Sequence, residues 1–283
     1  MAGKLYIVAT PIGNLEDITL RALRVLKEVH LIAAEDTRVT RKLLNHFVIH
    51  TPATAYHQHS KGRKAEQIVE IILEGHDVAL VSDAGTPGIS DPGHELIAYA
   101  VEKGITIVFV PGANAMTMAL VVSGLPTTHF AFDGFPPRKT GERNEFFRAL
   151  RREKRTLVFY ESPVRLLATL KAALDGLGDR RCAILREATK LYEEIFRGAL
   201  SDAIVRFTSP KARGEVTLVI EGAPEDIGED ERVVVAPEDR LRELIEQGTT
   251  ERDAVRQVSA ELSIPHRDAY SAMLRVKTQP SNA

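Results

Sequence analysis

Residues 77–93 read DVALVSDAGTPGISDPG, and this stretch decides how the first half of the chain folds. Asp77–Val81 is a short, mostly apolar run that is typical of a buried strand. The twelve residues that follow, Ser82–Gly93, contain three glycines and two prolines, which predicts a stiff, sharply turning loop. A loop of this length after a buried strand favours a binding role, and the alternative is a plain connection between strand and helix.

Short strands and longer helical patterns alternate on both sides of this stretch. Apolar residues recur at helical spacing over Thr19–Val29, Ala65–Glu74 and His94–Glu102, which separates the strands from one another. Such alternation predicts a parallel sheet that is covered by helices on both faces. The predicted strands of this half are Lys4–Ala9, Leu31–Ala34, Asp77–Val81 and Thr106–Val110.

The second half predicts another α/β domain followed by short helices. Its predicted strands are His129–Phe132, Thr156–Tyr160, Cys182–Arg186 and Glu215–Ile220, with a helix over Pro163–Leu174. The predicted helix Ala113–Ser123, rich in small residues, follows the fourth strand and belongs to the first half. We therefore divide the chain into an N-terminal α/β domain (1–125), a second α/β domain (126–223), an acidic linker (224–236) and a helix-turn-helix-like bundle (237–283). In the bundle, Thr250 and Asp253 have the spacing of a capping box.

Composition narrows the class of protein. The chain has 283 residues, 44% of them hydrophobic, one cysteine, and a net charge of -2. These values predict two packed domains without a disulfide framework. The sequence shows neither a long apolar run nor a signal peptide, so we expect a cytoplasmic protein without a membrane segment. The charge argues against a protein that coats nucleic acid non-specifically, but local basic patches can still bind RNA.

Four loops follow the predicted parallel strands, at the edge where open sheets bind ligands. They comprise residues 10–14, 35–38, 82–93 and 111–115. Asp83 can accept hydrogen bonds from an amine or a hydroxyl, and the small residues after Pro111 leave room for a flat group such as adenine. Motifs for a dinucleotide fold, a P-loop and a hydrolase elbow are absent from the sequence. The pairs His57/His59 and His46/His50 lack further ligands, so we expect no metal.

Several of these segments together resemble one family. They are Tyr6–Asn14 (YIVATPIGN), Ala34–Arg38 (AEDTR), Ser82–Gly93 (SDAGTPGISDPG), Pro111–Ala115 (PGANA), Phe159–Pro163 (FYESP) and Arg186–Glu194 (REATKLYEE). In this order they resemble the tetrapyrrole methylase superfamily, and within it the branch that modifies small-subunit ribosomal RNA. The similarity extends from about residue 4 to 222.

The resemblance implies two α/β domains with a cleft between them that binds S-adenosylmethionine, in a homodimer. It also implies the reaction, methylation of the 2'-hydroxyl of a cytidine in the decoding region of 16S rRNA, either as free RNA or in a ribosomal subunit. The cofactor-binding residues that it implies are Pro11, Ser82, Asp83, Ala84, Gly85, Ile89, Ala113, Asn114, Ala115 and Tyr160. In one respect the chain departs from the branch, which commonly has histidine where Val164 precedes Arg165.

A ribose hydroxyl reacts poorly while it is protonated, so a general base could accelerate the transfer by about 10²–10⁴-fold. Glu161, Asp36 and Glu35 are candidates because each follows a strand end, although each could instead cap a helix or form an ion pair. RNA phosphates require cations. The candidates for this role are Arg38, Arg41 and Lys42, the group Arg138, Lys139 and Arg143, and Arg165.

Two other functions remain open at this point. One is a methylase of a small tetrapyrrole-like substrate, against which the basic loops and the terminal helices argue. The other is a non-catalytic RNA-binding module for ribosome assembly, which would not require the long loop at 82–93.

Overall fold

Strand pairing divides the larger part of the chain into two five-stranded sheets. The structure, a computed structural model, describes residues 2–57, 62–91, 93–208, 214–224, 237–246, 249–261 and 265–278. By packing, the chain forms two compact units, Met1–Ala223 and Pro224–Ala283. Both sheets lie in the first unit.

The first sheet is parallel throughout, as the sequence predicts. Its order is β3-β2-β4-β1-β5. Its strands are β1 (Lys4–Val8), β2 (Leu31–Ala34), β3 (Ala53–Ala55), β4 (Val78–Val81) and β5 (Thr106–Val110). The helices between and after them are α1 (Leu20–Glu28), α2 (Thr37–His46), α3 (Arg63–Leu73), α4 (His94–Glu102) and α5 (Ala115–Ser123).

Helices cover both faces of this sheet because its central strands are apolar at consecutive positions. All four residues of β4 are buried. Leu80 belongs to a core that includes residues of α3 and α4, whereas Val81 belongs to a core that includes residues of α1 and α2. Strand β3 and helix α2 were not predicted. Strand β3 has only three residues, and the polar start of α2 hides its apolar face.

The second sheet is mixed, with the order β6-β7-β10-β8-β9. Only β6 and β7 run parallel, and the other neighbouring strands are antiparallel. Its strands are β6 (Phe130–Phe132), β7 (Thr156–Glu161), β8 (Arg181–Arg186), β9 (Glu194–Ala199) and β10 (Val216–Ile220). Its helices are α6 (Thr140–Ala149), α7 (Leu166–Leu177) and α8 (Leu200–Phe207).

Successive side chains of β7 point to opposite faces of the second sheet, and helices cover both faces. Phe159 faces a core that includes residues of α6, α7 and α8. Val158 faces the opposite core, which contains Ala119 and Leu120 of α5. Helix α5 therefore packs on the second sheet, whose strands all follow it in the sequence. The boundary at residue 125 stays a prediction.

Helix α7 begins three residues later than the pattern predicts. The carbonyl of Ser162 accepts hydrogen bonds from the amides of Arg165 and Leu166, which places Pro163 in the preceding turn. The helix ends at Gly178, whose φ of 86° is in the left-handed region, where glycine is the favoured residue.

The described residues of the terminal unit form three helices, as the sequence predicts: α9 (Pro237–Glu246), α10 (Glu251–Glu261) and α11 (His266–Thr278). Leu241, Val258 and Met273 are among the residues of its core. The hydroxyl of Thr250 accepts a hydrogen bond from the amide of Asp253, which confirms the predicted cap. The predicted linker lies outside the described residues from 225 to 236.

Helix α7 packs on α6 through Gly176. A Cβ on Gly176 would lie 2.7 Å from Cβ of Phe147, which is fully buried. We expect Gly176→Ala to lower the free energy of unfolding by about 1–3 kcal/mol, because the interior has no space for another methyl group. Urea denaturation measures this difference.

Gly141→Ala is the matched control on α6. Its Cβ would have no heavy atom within 4 Å, and alanine stabilises a helix by up to about 1 kcal/mol relative to glycine. Equal destabilisation by the two substitutions would contradict the packing argument.

Candidate functional site

A cavity of about 450 Å³ lies where loops of the two sheets meet. All four loops that follow the parallel strands of the first sheet contribute to it. From these loops the lining residues are Ile12, Glu35, Asp83, Ala84, Gly85, Thr86, Ile89, Ser90, Asp91, Asn114 and Ala115. From the second half they are Phe135, Tyr160, Glu161, Ser162, Pro163, Gly214, Glu215, Val216 and Thr217.

The loop after β4 is held by the loop after β1. The amide of Thr10 donates to the carbonyl of Gly85 over 2.8 Å, and the amide of Gly85 donates to the carbonyl of Thr10 over 3.1 Å. The hydroxyl of Thr10 also donates to the carbonyl of Ser82 at 3.1 Å. Gly85 has a φ of 82°, which a residue with a Cβ rarely adopts. These contacts fix the backbone on one side of the cavity.

The loop before α5 closes on the same segment. Asn114 caps α5, because its Oδ1 accepts a hydrogen bond from the amide of Thr117 at 3.0 Å. Its Nδ2 donates to the hydroxyl of Thr86 at 3.4 Å. A Cβ on Gly112 would lie 3.0 Å from Cβ of Ala9, so the glycine permits the close approach of the two loops.

Carboxylates form one wall of the cavity. Oδ1 of Asp83 accepts a hydrogen bond from the amide of Asp36 at 3.0 Å, and Oε2 of Glu35 accepts one from the amide of Asp83 at 3.3 Å. Burial raises the pKa of Glu35, and repulsion from Asp83 and Asp36 adds to the effect. Burial is also the main cause that raises the pKa of Asp83.

Asp91 is the most perturbed carboxyl of this wall. Burial raises its pKa to about 6, and repulsion from Glu35, Asp83 and Glu215 acts in the same direction. A hydrogen bond with the side chain of Ser82 opposes the shift. The wall therefore carries negative charge that is poorly solvated.

An aromatic group faces the wall from the second sheet. The rings of Tyr160 and Phe132 meet edge to face, with centroids 4.9 Å apart, and Phe135 lies 5.8 Å from Tyr160. Tyr160 also hydrogen-bonds to the backbone of Met116, which connects the second sheet to α5. Burial raises the pKa of Tyr160, so its hydroxyl is protonated at neutral pH.

Glu161 lines the cavity but has close partners. It is 2% exposed. Its carboxylate accepts hydrogen bonds from the amide of Ser162 at 2.7 Å, from Nη2 of Arg165 at 3.0 Å and from the hydroxyl of Thr169 at 2.5 Å. Arg165 also donates to the carbonyl of Pro136 at 2.8 Å. The pair of the buried Glu161 and the partly exposed Arg165 therefore holds the loop that carries Phe135 in place.

Asp36 has a different environment from Glu35. It caps α2 through the amide of Arg38, and its carboxylate also pairs with the guanidinium of Arg38. The hydrogen bonds from Arg38 lower the pKa of Asp36 to about 2. A carboxylate with so low a pKa is a weak proton acceptor.

Of the residues predicted for the site, those that line the cavity are Glu35, Asp83, Ala84, Gly85, Ile89, Asn114, Ala115, Tyr160 and Glu161. Pro11, Ser82, Ala113 and Asp36 are not among the described lining residues, and each is a chain neighbour of one that is.

The predicted cations lie on two exposed segments, with two exceptions. Arg38, Arg41 and Lys42 are exposed on α2, where their spacing places them on one face. Arg138 and Lys139 are exposed in the loop before α6. Arg143, however, is 5% exposed and donates to the carbonyl of Arg138 at 3.2 Å, and Arg165 pairs with Glu161 as described.

Asp91, Glu215 and Phe135 are lining residues that the sequence analysis did not select. Asp91 lies within the loop that was singled out, near its end, and a polar residue there was a usable signal. Glu215 precedes a strand instead of following one, so the rule about carboxyl ends of parallel strands could not identify it.

Within the described residues, no group of three or more His, Cys, Asp or Glu side chains could hold a metal ion. His59 lies outside those residues. No helix in the described part of the chain has both the length and the apolar character needed to cross a membrane.

Sequence comparison identifies the family. The sequence model of the Tetrapyrrole (Corrin/Porphyrin) Methylases matches residues 4–204. A relative from Halalkalibacterium halodurans, named Ribosomal RNA small subunit methyltransferase I, is 46% identical over 272 residues, which is 95% of this chain and 94% of the relative. A Synechocystis relative of the same name is 46% identical over 280 residues, covering 97% of this chain and 99% of its own.

A third relative of that name, from Thermotoga maritima, is shorter. It is 49% identical over 220 residues, which is 99% of its length but 78% of this chain. About a fifth of the present chain therefore has no counterpart in that match.

Structural comparison agrees on the fold. Uroporphyrin-III-C-methyltransferase from Thermus thermophilus has a TM-score of 0.56 at 23% identity, with 77% of this chain and 94% of that chain covered. A diphthine synthase has a TM-score of 0.59 at 13% identity, with 77% and 90% covered.

These matches confirm the resemblance and the two-sheet α/β fold with terminal helices that the sequence predicts. The chain belongs to the tetrapyrrole (corrin/porphyrin) methylase family, alongside the proteins named ribosomal RNA small subunit methyltransferase I, and is a methyltransferase that uses S-adenosylmethionine.

Proposed function

We propose that this protein methylates the 2'-hydroxyl of a cytidine in the decoding region of small-subunit rRNA. One observation carries the proposal: 46% identity over 95% of the chain to a protein named Ribosomal RNA small subunit methyltransferase I. The nucleotide and the 2'-hydroxyl come from the resemblance of the motifs. The geometry of the site supports a large anionic substrate, as follows.

The cavity fits the cofactor. S-adenosylmethionine supplies a methyl group on a positively charged sulfur, and the wall of Glu35, Asp83 and Asp91 provides the complementary negative charge. The volume of the cavity, about 450 Å³, is in the range of small-ligand pockets, roughly 300–1,000 Å³. We assign Asp83 and Asn114 to polar contacts, and Ala84, Gly85, Ile89, Ala115 and Tyr160 to the surrounding surface. Pro11, Ser82 and Ala113 each adjoin a lining residue in the sequence, and we assign them to holding that residue in position.

The exposed cations lie close in sequence to residues that line the cavity. Helix α2 begins two residues after Glu35, and Arg138 follows Phe135 by three residues. Both Glu35 and Phe135 line the cavity, so cations lie on segments that leave it. We assign Arg38, Arg41, Lys42, Arg138 and Lys139 to RNA phosphates. We assign Arg143 and Arg165 to the loop that presents Arg138.

Among the three carboxylates considered as a general base, the geometry ranks Glu35 first. It lines the cavity and its pKa is raised, whereas Asp36 is held by Arg38 and Glu161 by Arg165 and Thr169.

A small tetrapyrrole-like substrate has no need of cations on two segments outside the cavity. A non-catalytic assembly module has no need of a cavity with an acidic wall. The active assembly in our proposal is a homodimer, consistent with exposed apolar side chains on β5, α5 and β6 (Phe109, Val121 and Phe130).

The direct test incubates the purified protein with S-adenosylmethionine and small ribosomal subunits or naked rRNA from a strain that lacks the corresponding gene. We expect one new 2'-O-methylcytidine, located by mass spectrometry of rRNA fragments. Methylation of a tetrapyrrole without methylation of rRNA would replace this proposal with the small-molecule alternative.

The acidic wall predicts a pH effect that is specific to the charged cofactor. A raised pKa means that a carboxyl takes up its proton as the pH falls through the shifted value, about 6 for Asp91. Lowering the pH from about 7.5 to 5 should therefore weaken S-adenosylmethionine binding by about tenfold, which is about 1.4 kcal/mol. Calorimetry measures the affinity at each pH.

S-adenosylhomocysteine is the matched ligand, because its sulfur carries no charge. We expect its affinity to change much less over the same pH range. Asp83→Asn should reduce the preference for the charged ligand, and Asp175→Asn, at an exposed position on α7, should not. Equal pH dependence for both ligands would remove the acidic wall from cofactor recognition.

The cationic segments predict a salt effect. Arg38→Ala and Arg138→Ala should each weaken binding of a decoding-region RNA and lower the slope of log affinity against log salt by roughly 0.7–0.9. The affinity for S-adenosylmethionine should stay unchanged. Arg24→Ala is the control, because Arg24 is also an exposed arginine and its partner Glu28 lies on the same helix. An unchanged salt slope in both variants would show that the RNA takes another path.

A further inference from the structure

A second cavity adjoins the cofactor cavity. It has a volume of about 380 Å³, and its wall includes Tyr56, His57, Ser90, Asp91, His94 and Glu95. Ser90 and Asp91 line both cavities. The two spaces therefore meet at these two residues.

The shared wall is held in an unusual conformation. Ser90 has a φ of 58°, which places a residue with a side chain in the left-handed region, where strain is retained mainly at functional positions. Behind the wall, a Cβ on Gly93 would lie 3.0 Å from Cδ2 of Leu80, so the loop is packed against β4. On the other side, the hydroxyl of Ser90 lies 3.2 Å from the position of a Cβ on Gly134, the residue before Phe135.

Asp91 lies between two sets of neighbouring groups, one in each cavity. From the cofactor cavity it faces the carboxylates of Glu35, Asp83 and Glu215, the hydroxyl of Ser82 and the phenol of Tyr160. The second cavity, which Asp91 also lines, is bordered by His57, His94, Glu95 and Tyr56.

Its environment suits a proton acceptor. Burial and the neighbouring carboxylates raise the pKa of Asp91 to about 6. At pH 7 the carboxyl is thus mostly ionised, yet more basic than an ordinary aspartate. Both properties favour general-base catalysis near neutral pH.

The second cavity has the chemistry to hold a nucleotide. Imidazole and carboxylate groups can hydrogen-bond to the edges of an unpaired base, and an imidazole ring can stack on it. Tyr56 is 4% exposed and its hydroxyl bonds to the backbone of Leu96, so its ring is part of the cavity floor. The wall of the second cavity, unlike that of the cofactor cavity, contains two histidines and no apolar side chain among the residues named above.

We propose that the second cavity takes the methyl-accepting nucleotide and that Asp91, in the wall between the two cavities, removes the proton from its ribose hydroxyl. This inference rests on the proposed function, and it assigns to Asp91 the role for which Glu35 was ranked first above.

The step is balanced as a displacement. The O–H bond of the ribose breaks and its proton goes to the carboxylate of Asp91. The hydroxyl oxygen forms a bond to the methyl carbon of the sulfonium donor. The carbon–sulfur bond breaks, and its electron pair stays on sulfur as a neutral thioether. Asp91 then releases the proton to water.

Asp91→Asn tests the proton transfer. At saturating cofactor and rRNA we expect kcat to fall by about 10²-fold or more. The wild-type rate should decline below pH 6, and this acidic limb should be absent from the residual rate of the variant. Asp91→Glu should restore part of the rate, and Asp175→Asn should match the wild type.

The melting temperature of the unliganded protein tests the premise that the pKa of Asp91 is raised in the folded state. A raised pKa in the folded state means that ionisation of Asp91 destabilises the unliganded wild type increasingly as the pH rises from about 4 to about 6. The amide introduced by Asp91→Asn cannot ionise, so this variant should have the higher melting temperature at pH 8, with a difference that shrinks towards pH 4. Identical melting profiles would overturn the premise.

His94→Ala tests the nucleotide site. We expect about tenfold weaker binding of a decoding-region RNA fragment in fluorescence anisotropy, with S-adenosylmethionine affinity unchanged in calorimetry. His50→Ala, at another exposed histidine, is the control. Unchanged RNA affinity in His94→Ala, or a kcat of Asp91→Asn within threefold of wild type, would overturn the inference. If the wild type itself fails to methylate small-subunit rRNA, the proposed function fails, and the RNA-binding and melting experiments still report on the cavity and on Asp91.

Discussion

Burial of carboxylates in one shared wall is the constraint on which the rest of the site depends. Glu35, Asp83 and Asp91 are partly buried, and burial is the largest cause that raises the pKa of each, with repulsion from neighbouring carboxylates adding to it. Among the described residues that line the cavity, none is lysine, arginine or histidine. Arg165 and Lys190, which do not line the cavity, pair with Glu161 and Glu215, and the charge of Arg38 acts on Asp83. The wall of Glu35, Asp83 and Asp91 still carries poorly solvated negative charge, which in our proposal favours the bound sulfonium. Because this charge is in place before binding, little reorganisation is needed when the cofactor binds.

The backbone makes this arrangement possible. Parallel strands bring their carboxyl ends to one edge, so the loops with Ile12, Glu35 and Asp83 meet although they are far apart in sequence. The pair of hydrogen bonds between Thr10 and Gly85 fixes two of these loops to each other. The loops thus bring the carboxyl groups into a partly buried wall, and this burial raises their pKa values.

Much of this could be predicted from the sequence, because it depends on local patterns. The strands β2 and β5 and the helix α4 have the predicted limits, since apolar runs and flanking turns define them. The loop at 82–93 was identified by its glycines and prolines. What could not be predicted depends on packing between distant segments. Arg143 looks like a surface cation in the sequence, yet it is buried, and its side chain supports a loop.

Packing between distant segments also determines the position of α5 and the environment of Asp91. The sequence places α5 after the fourth parallel strand, but its apolar character on all sides allows it to pack on the second sheet. Asp91 was visible as a polar residue in a notable loop. The shift of its pKa, however, comes first from burial and then from repulsion by Glu35, Asp83 and Glu215, an environment that exists only in the folded state.

Separation of charge resolves the apparent conflict between a net charge of -2 and a polyanionic substrate. Carboxylates line the cavity, whereas Arg38, Arg41, Lys42, Arg138 and Lys139 are exposed on segments that leave it. In the proposed reaction, the acidic wall repels phosphates and attracts the sulfonium, so the RNA backbone is held by the exposed cations. Only an uncharged part of the nucleotide, its ribose and base, can then approach the methyl group without electrostatic cost. The distribution of charge, more than its sum, thus determines which atoms of the RNA meet the cofactor.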